Sequence, residues 1–207
     1  MSLLKKLFNR ILFHVKENFA YYGISTSAIF CGFVLAVVCA FSLPEFNVKE
    51  LALYFEDFFT GFLKSGADSK LIMFSALKIN VIIFCTLAVF SLMIVGIPFI
   101  VFAGVCIGFA VGFAVTFIFR VYSFSALLLI VTAIIPHLII VLPCYVALIA
   151  YSLKFCFLLR NDRSNIKKAI PSFMFSVIII FVIAFAGTLM QAYIEPVLIQ
   201  LIAEYFI

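Results

Sequence analysis

The stretch "IIPHLIIVLP", residues 134–143, places His137 between Pro136 and Pro143 in an otherwise apolar run. An ionisable side chain inside a long apolar segment typically marks a proton pathway or a ligand site. Prolines remove backbone donors and break helices, so carbonyl groups near them need new hydrogen-bond partners. The stretch therefore raises two possibilities, a chemical site and a structural break.

For His137 we favour the structural role. A neutral imidazole donates one ring N–H, and the carbonyl groups freed by a helix break at Pro136 would accept it. A proton relay or a ligand site remains the alternative, although the sequence shows no neighbouring carboxylate to form a pair. Residues Pro136, His137 and Pro143 are accordingly predicted to form a helix break.

Other signs of catalytic chemistry are missing from the sequence. We find no His-Glu-x-x-His, nucleophile elbow, glycine-rich phosphate loop or paired carboxylate. The nine Asp and Glu residues lie outside the middle of every predicted span, and the six cysteines form no Cys-x-x-Cys. We therefore predict a protein that is not an enzyme, with no catalytic, cofactor-binding or metal-binding residues. A membrane enzyme ranks third among the functions considered.

Composition indicates that the elements carrying these residues lie in a membrane. Hydrophobic residues make up 67% of the 207 residues and charged residues only 11%, whereas soluble domains have about half and about a quarter. We predict an all-α integral membrane protein with about five transmembrane helices and additional amphipathic interfacial helices. The predicted spans are 21–44, 71–95, 99–119, 124–158 and 172–193.

The fourth predicted span is too long to cross a membrane as one straight helix. Residues 124–158 would extend about 52 Å at 1.5 Å per residue, against a hydrocarbon core of about 30 Å. Residues 124–135 alone are too short for a span of their own. We therefore predict a long fourth helix that is broken at its prolines.

Three amphipathic segments accompany the spans in a single polytopic domain covering residues 1–207. They are a cytoplasmic basic helix at 1–18, an extracytoplasmic segment at 45–70 and a short tail at 194–207. The 45–70 segment carries an aromatic stripe that packs on the membrane surface or docks a partner. Its partner-binding candidates are Tyr54, Phe55, Phe58 and Phe62.

Glycines repeat every fourth residue in the third predicted span. Gly104, Gly108 and Gly112 share one helix face, where a second backbone can approach closely. We favour packing against another helix of the same chain, and a homo-oligomer interface is the alternative.

Charge distribution predicts the orientation. Nine Lys and Arg residues lie before the first span or around the 160–171 loop, and five lie on the other side. Because cytoplasmic loops carry the excess of cations, the N-terminus is predicted to be cytoplasmic and the C-terminus extracytoplasmic.

Three stretches in order resemble the stage II sporulation protein M family. They are "GIPFIVFAGVCIGFAVGF" (96–113), "IPHLIIVLPCYVALIAYSLKF" (135–155) and "MQAYIEPVL" (190–198). The first resembles the Gly/Pro turn and glycine-striped helix of that family, the second its doubled-proline helix, and the third its C-terminal segment. One departure is that Leu138 and Val141 stand where the wider family often has Gly and Glu.

The resemblance implies a membrane scaffold in an endospore-forming bacterium. Members of the family act in the septal or mother-cell membrane with two cell-wall hydrolases, stage II sporulation proteins D and P, which thin septal peptidoglycan during engulfment. The expected partners are thus these hydrolases and the lipid bilayer, with no nucleic acid and no cofactor. The alternative function is a small transporter or channel subunit with a site at the broken fourth helix, which would require a dimer.

Overall fold

The computed structural model describes residues 15–65, 68–93, 95–161 and 166–203, and within these ranges every regular element is a helix. Five long helices account for the segments that are apolar enough to cross a membrane. They are α1 (Phe19–Ser42), α3 (Ser69–Ser91), α4 (Gly96–Tyr122), α6 (Ile135–Asn161) and α7 (Ile166–Tyr193). Three shorter helices are α2 (Glu45–Ser65), α5 (Ala126–Ala133) and α8 (Glu195–Ala203). The predicted all-α multi-pass membrane fold is confirmed.

Helix α6 is the central helix of the bundle. Half of the apolar stretch of α6 is buried inside the protein, whereas the buried share is 22–33% in the other four spans. Helix α6 packs on α1, α3, α4 and α7. Leu148, Ile149 and Leu153 of α6 are fully buried. The outer helices direct large apolar side chains outward, as expected where lipid replaces water.

Helices α1 and α4 run parallel, and Arg120 joins their C-terminal ends. The Arg120 guanidinium donates from Nη1 to the carbonyl oxygen of Ala40 and from Nη2 to that of Leu43, the latter at 2.9 Å. These carbonyls lie at the end of α1, where no intrahelical donor remains. The contact therefore places the C-terminal ends of both helices at the same end of the bundle.

The three short helices gather at that same end, which we call the short-helix end. A small cluster of buried residues from α4 and α5 holds them, with Phe55 of α2 and Ile199 of α8 packed against it. The buried members are Ile118, Ala126, Leu129 and Ile130. At the opposite end, which we call the loop end, the rings of Tyr21 in α1 and Phe157 in α6 lie 5.7 Å apart.

The break in the long apolar run lies at Ile134, one residue before α6. Ile134 has φ −118° and ψ −46°, and the chain turns there from α5 into α6. Pro136 falls in the first turn of α6, where its missing N–H costs no hydrogen bond. Pro143 lies inside α6 without ending it, so the prediction that Pro143 breaks the helix is wrong. The surplus apolar length forms the eight-residue helix α5.

Candidate functional site

The side chains of His137 and Glu195 form a hydrogen bond where two helices begin. The imidazole Nδ1 of His137 lies 2.7 Å from Oε1 of Glu195, and the backbone N–H of His137 donates to the same oxygen at 3.0 Å. Only 4% of the Glu195 side chain is exposed. The first N–H groups of a helix have no intrahelical partner, so Glu195 at the start of α8 caps the N-terminus of α6.

This geometry corrects the role predicted for His137. Its partner is a carboxylate rather than a freed backbone carbonyl, and the carboxylate comes from 58 residues further along the chain. Sequence reasoning missed Glu195 because it falls in the segment interpreted as a short amphipathic tail. The only available signal was an acidic residue next to Pro196 inside a largely apolar stretch.

A second set of hydrogen-bonded polar side chains lies in the core between α3, α6 and α7. The Tyr145 hydroxyl donates to Oδ1 of Asn80 at 2.5 Å, and Nδ2 of Asn80 donates to Oγ1 of Thr188 at 3.0 Å. Thr188 in turn donates to the carbonyl oxygen of Ala184. All three side chains are buried. In a membrane interior such bonds join helices, since unpaired polar groups are costly there.

The glycine stripe of α4 lies against helices of the same chain. A methyl group added at Gly108 would overlap the backbone carbonyl of Ile29 in α1, and one added at Gly112 would crowd Phe33. Gly104 faces Ala28 and Ile149. The α1 helix contributes a glycine of its own, Gly32, against the backbone of α4, which the sequence analysis did not single out.

The aromatic stripe of the 45–70 segment divides between two faces of α2. Tyr54 is 75% exposed, whereas the ring of Phe55 lies 5.5 Å from that of Phe117 and packs inward. Phe55, one of the four predicted partner-binding residues, therefore does not lie on the exposed face of α2. The side chains of Phe58 and Phe62 lie outside the part of the structure that is described.

The exposed face of α2 also carries acidic side chains. Glu50 and Asp57 are exposed together with Tyr54, because they lie four residues before it and three residues after it. The outward face of α2 therefore combines apolar and acidic side chains, and its inward face is apolar.

Among the described residues, no three His, Cys, Asp or Glu side chains converge as metal ligands do.

Residues 25–196 match the sequence profile of a family described as Stage II sporulation protein M. The chain belongs to the stage II sporulation protein M family. As a member of this family it is a sporulation-related membrane protein, and the match includes both His137 and Glu195. No curated protein and no solved structure matches the chain.

Proposed function

We propose that this family member is a non-enzymatic membrane scaffold that recruits and localises peptidoglycan hydrolases for septal wall remodelling and forespore engulfment. Three features support the proposal: the family, the multi-pass helical fold and an exposed surface at the short-helix end. The expected partners are hydrolases resembling stage II sporulation proteins D and P. The expected location is the septal or mother-cell membrane.

The observation that carries the proposal is the outward face of α2. This helix is not among the five apolar spans, and yet Phe46, Leu53 and Tyr54 are each at least 60% exposed. Their positions fall on one side of the helix, next to Glu50 and Asp57. An amphipathic protein segment of complementary shape would bury the aromatic rings and pair with the Glu50 carboxylate.

Charge supports an extracytoplasmic location for this face. In the sequence, the segment before the first span and the region around the 160–171 loop carry nine Lys and Arg and two acidic residues. The rest of the chain carries five Lys and Arg and seven acidic residues. By the bias of cations towards the cytoplasm, the loop end faces inward and the short-helix end faces the wall. A partner that cleaves peptidoglycan works on that outer side.

Deletion of the gene in an endospore-forming host tests the proposal directly. Fluorescence microscopy of membranes during sporulation should show septa that form but fail to migrate around the forespore. Wild-type engulfment in the deletion strain would contradict the proposed role.

A capture experiment tests the surface itself. Tyr54→Asp combined with Phe46→Asp should abolish co-purification of the hydrolases, because both rings lie on the proposed contact face. The same loss is expected for Phe58→Asp combined with Phe62→Asp. Phe19→Asp is the matched control, since Phe19 is a similarly exposed ring at the loop end. Hydrolase capture that survives both double substitutions, in protein that still inserts, would eliminate this surface.

A transporter or channel is the second candidate, and the His137–Glu195 pair is the observation that favours it. A half-buried imidazole and a buried carboxylate at a helix interruption provide groups that a proton-coupled carrier uses. Solute or proton flux into proteoliposomes, lost in His137→Ala, would support this candidate over the scaffold. The backbone N–H and the ring Nδ1 of His137 both contact the same oxygen of Glu195, and this favours a structural role for the two residues instead.

A further inference from the structure

A cavity of about 190 Å³ opens between α6 and α7 near the loop end. Phe155 and Phe173 form its apolar wall, with ring centroids stacked 4.4 Å apart. Lys154, Ser172 and Ser176 add polar groups to the same cavity. Tyr151 also lines the cavity, so the lining combines one cation and three hydroxyl groups with an aromatic surface.

Lys154 lies near the loop end of α6. It lies seven residues before Asn161, the last residue of α6, which corresponds to about 10 Å along the helix. A lysine at this depth extends its stem along the apolar surface and brings its ammonium group towards the phosphate layer. Lys154 is exposed, so its ammonium group remains accessible from the cavity.

The connection that follows α6 has a basic sequence. Arg160 is exposed at the end of α6, and the following sequence adds Arg163, Lys167 and Lys168 against a single acidic residue, Asp162. Basic pockets between membrane helices on the cytoplasmic side recognise anionic lipid headgroups. A free phosphate would contact the lysine and the hydroxyl groups, but no part of it would contact the aromatic wall.

We propose that the α6–α7 cavity binds one anionic phospholipid, with its phosphate at Lys154 and Ser172 and an acyl chain along Phe155 and Phe173. The site requires both a negatively charged headgroup and an apolar tail. It is independent of the proposed recruitment of hydrolases, because it lies at the opposite end of the bundle.

Native mass spectrometry of the full-length protein, released from detergent with added lipid, tests the proposal. Phosphatidylglycerol should bind at least fivefold more tightly than phosphatidylcholine of the same chain length. Lys154→Gln should reduce phosphatidylglycerol binding about fivefold, the effect typical of one cation at an anionic membrane surface. Lys78→Gln is the matched control, since Lys78 is an exposed lysine in the span α3.

A second variant tests the contribution of the cavity to lipid binding separately from that of the lysine charge. Ser172→Phe should fill the cavity and lower phosphatidylglycerol binding while Lys154 is retained. Equal binding of the two lipids, or equal losses in Lys154→Gln and Lys78→Gln, would overturn the proposal. Inorganic phosphate at millimolar concentration should not displace the lipid. Displacement would indicate a small-anion site and would also overturn the proposal.

Discussion

The imidazole of His137 and the carboxylate of Glu195 meet at 2.7 Å and join the two points where the chain bends at the short-helix end. One bend lies between α5 and α6, and the other lies between α7 and α8. A carboxylate is tolerated in this buried position because the N-terminus of α6 and the imidazole both stabilise negative charge. The pair therefore joins the start of α8 to the start of the central helix.

Removal of the Glu195 carboxylate should destabilise the protein. In Glu195→Ala the backbone N–H and the ring N–H of His137 lose their shared acceptor, at a cost of about 3 kcal/mol for two part-buried unsatisfied donors. Glu195→Gln keeps a carbonyl oxygen at the same place and should cost about 1 kcal/mol. Unfolding in mixed micelles titrated with sodium dodecyl sulfate measures both values.

A double-mutant cycle distinguishes this pair from two independent contributions. His137→Ala combined with Glu195→Ala should cost clearly less than the sum of the two single substitutions, because the second change removes nothing further from the pair. Additive losses would show that the two side chains do not interact.

Enlargement of Gly108 should separate α1 from α4. The new methyl group in Gly108→Ala would overlap the carbonyl of Ile29, and overpacking of this kind costs about 2 kcal/mol. Gly23→Ala is the control, since nothing lies within 4 Å of a methyl group there, and it should stabilise the helix by up to about 1 kcal/mol. In detergent, the melting temperature should therefore fall in Gly108→Ala and rise in Gly23→Ala. Equal shifts of the two melting temperatures would argue against close packing at Gly108.

Loss of the Tyr145 hydroxyl should have a smaller effect. Tyr145→Phe leaves Oδ1 of Asn80 without its donor, and hydrogen bonds between membrane helices contribute about 0.6 kcal/mol on average. Tyr193→Phe is the comparison, because its hydroxyl only approaches the Met73 sulfur at 3.9 Å. Equal stability of the two variants in a dodecyl sulfate titration would mean that the buried polar group contributes nothing measurable.

Labelling from outside the cell tests the proposed orientation. A water-soluble maleimide should label Glu50→Cys in intact cells, but should label Lys16→Cys only after the membrane is permeabilised. The wild type is the control, because its six cysteines all lie in spanning helices and it gives the background labelling to subtract. The reverse labelling would invert the proposed topology.

Several features could be predicted from the sequence because they depend on local composition. A run of about 20 apolar residues is stable in lipid as a helix whatever its neighbours are, so the five spans follow from hydropathy. The glycine spacing on Gly104, Gly108 and Gly112 predicts a face for close packing for the same local reason. The family resemblance also depended on residue order alone, and it is confirmed over residues 25–196.

Contacts between distant segments were decided only by the tertiary structure. Nothing near His137 in sequence indicates Glu195, and nothing near Asn80 indicates Tyr145 or Thr188, because each contact arises when separate helices pack. The position of Phe55 was decided in the same way. Helical periodicity places it beside Tyr54, but only the packing of α2 on Phe117 determines which of the two rings faces inward.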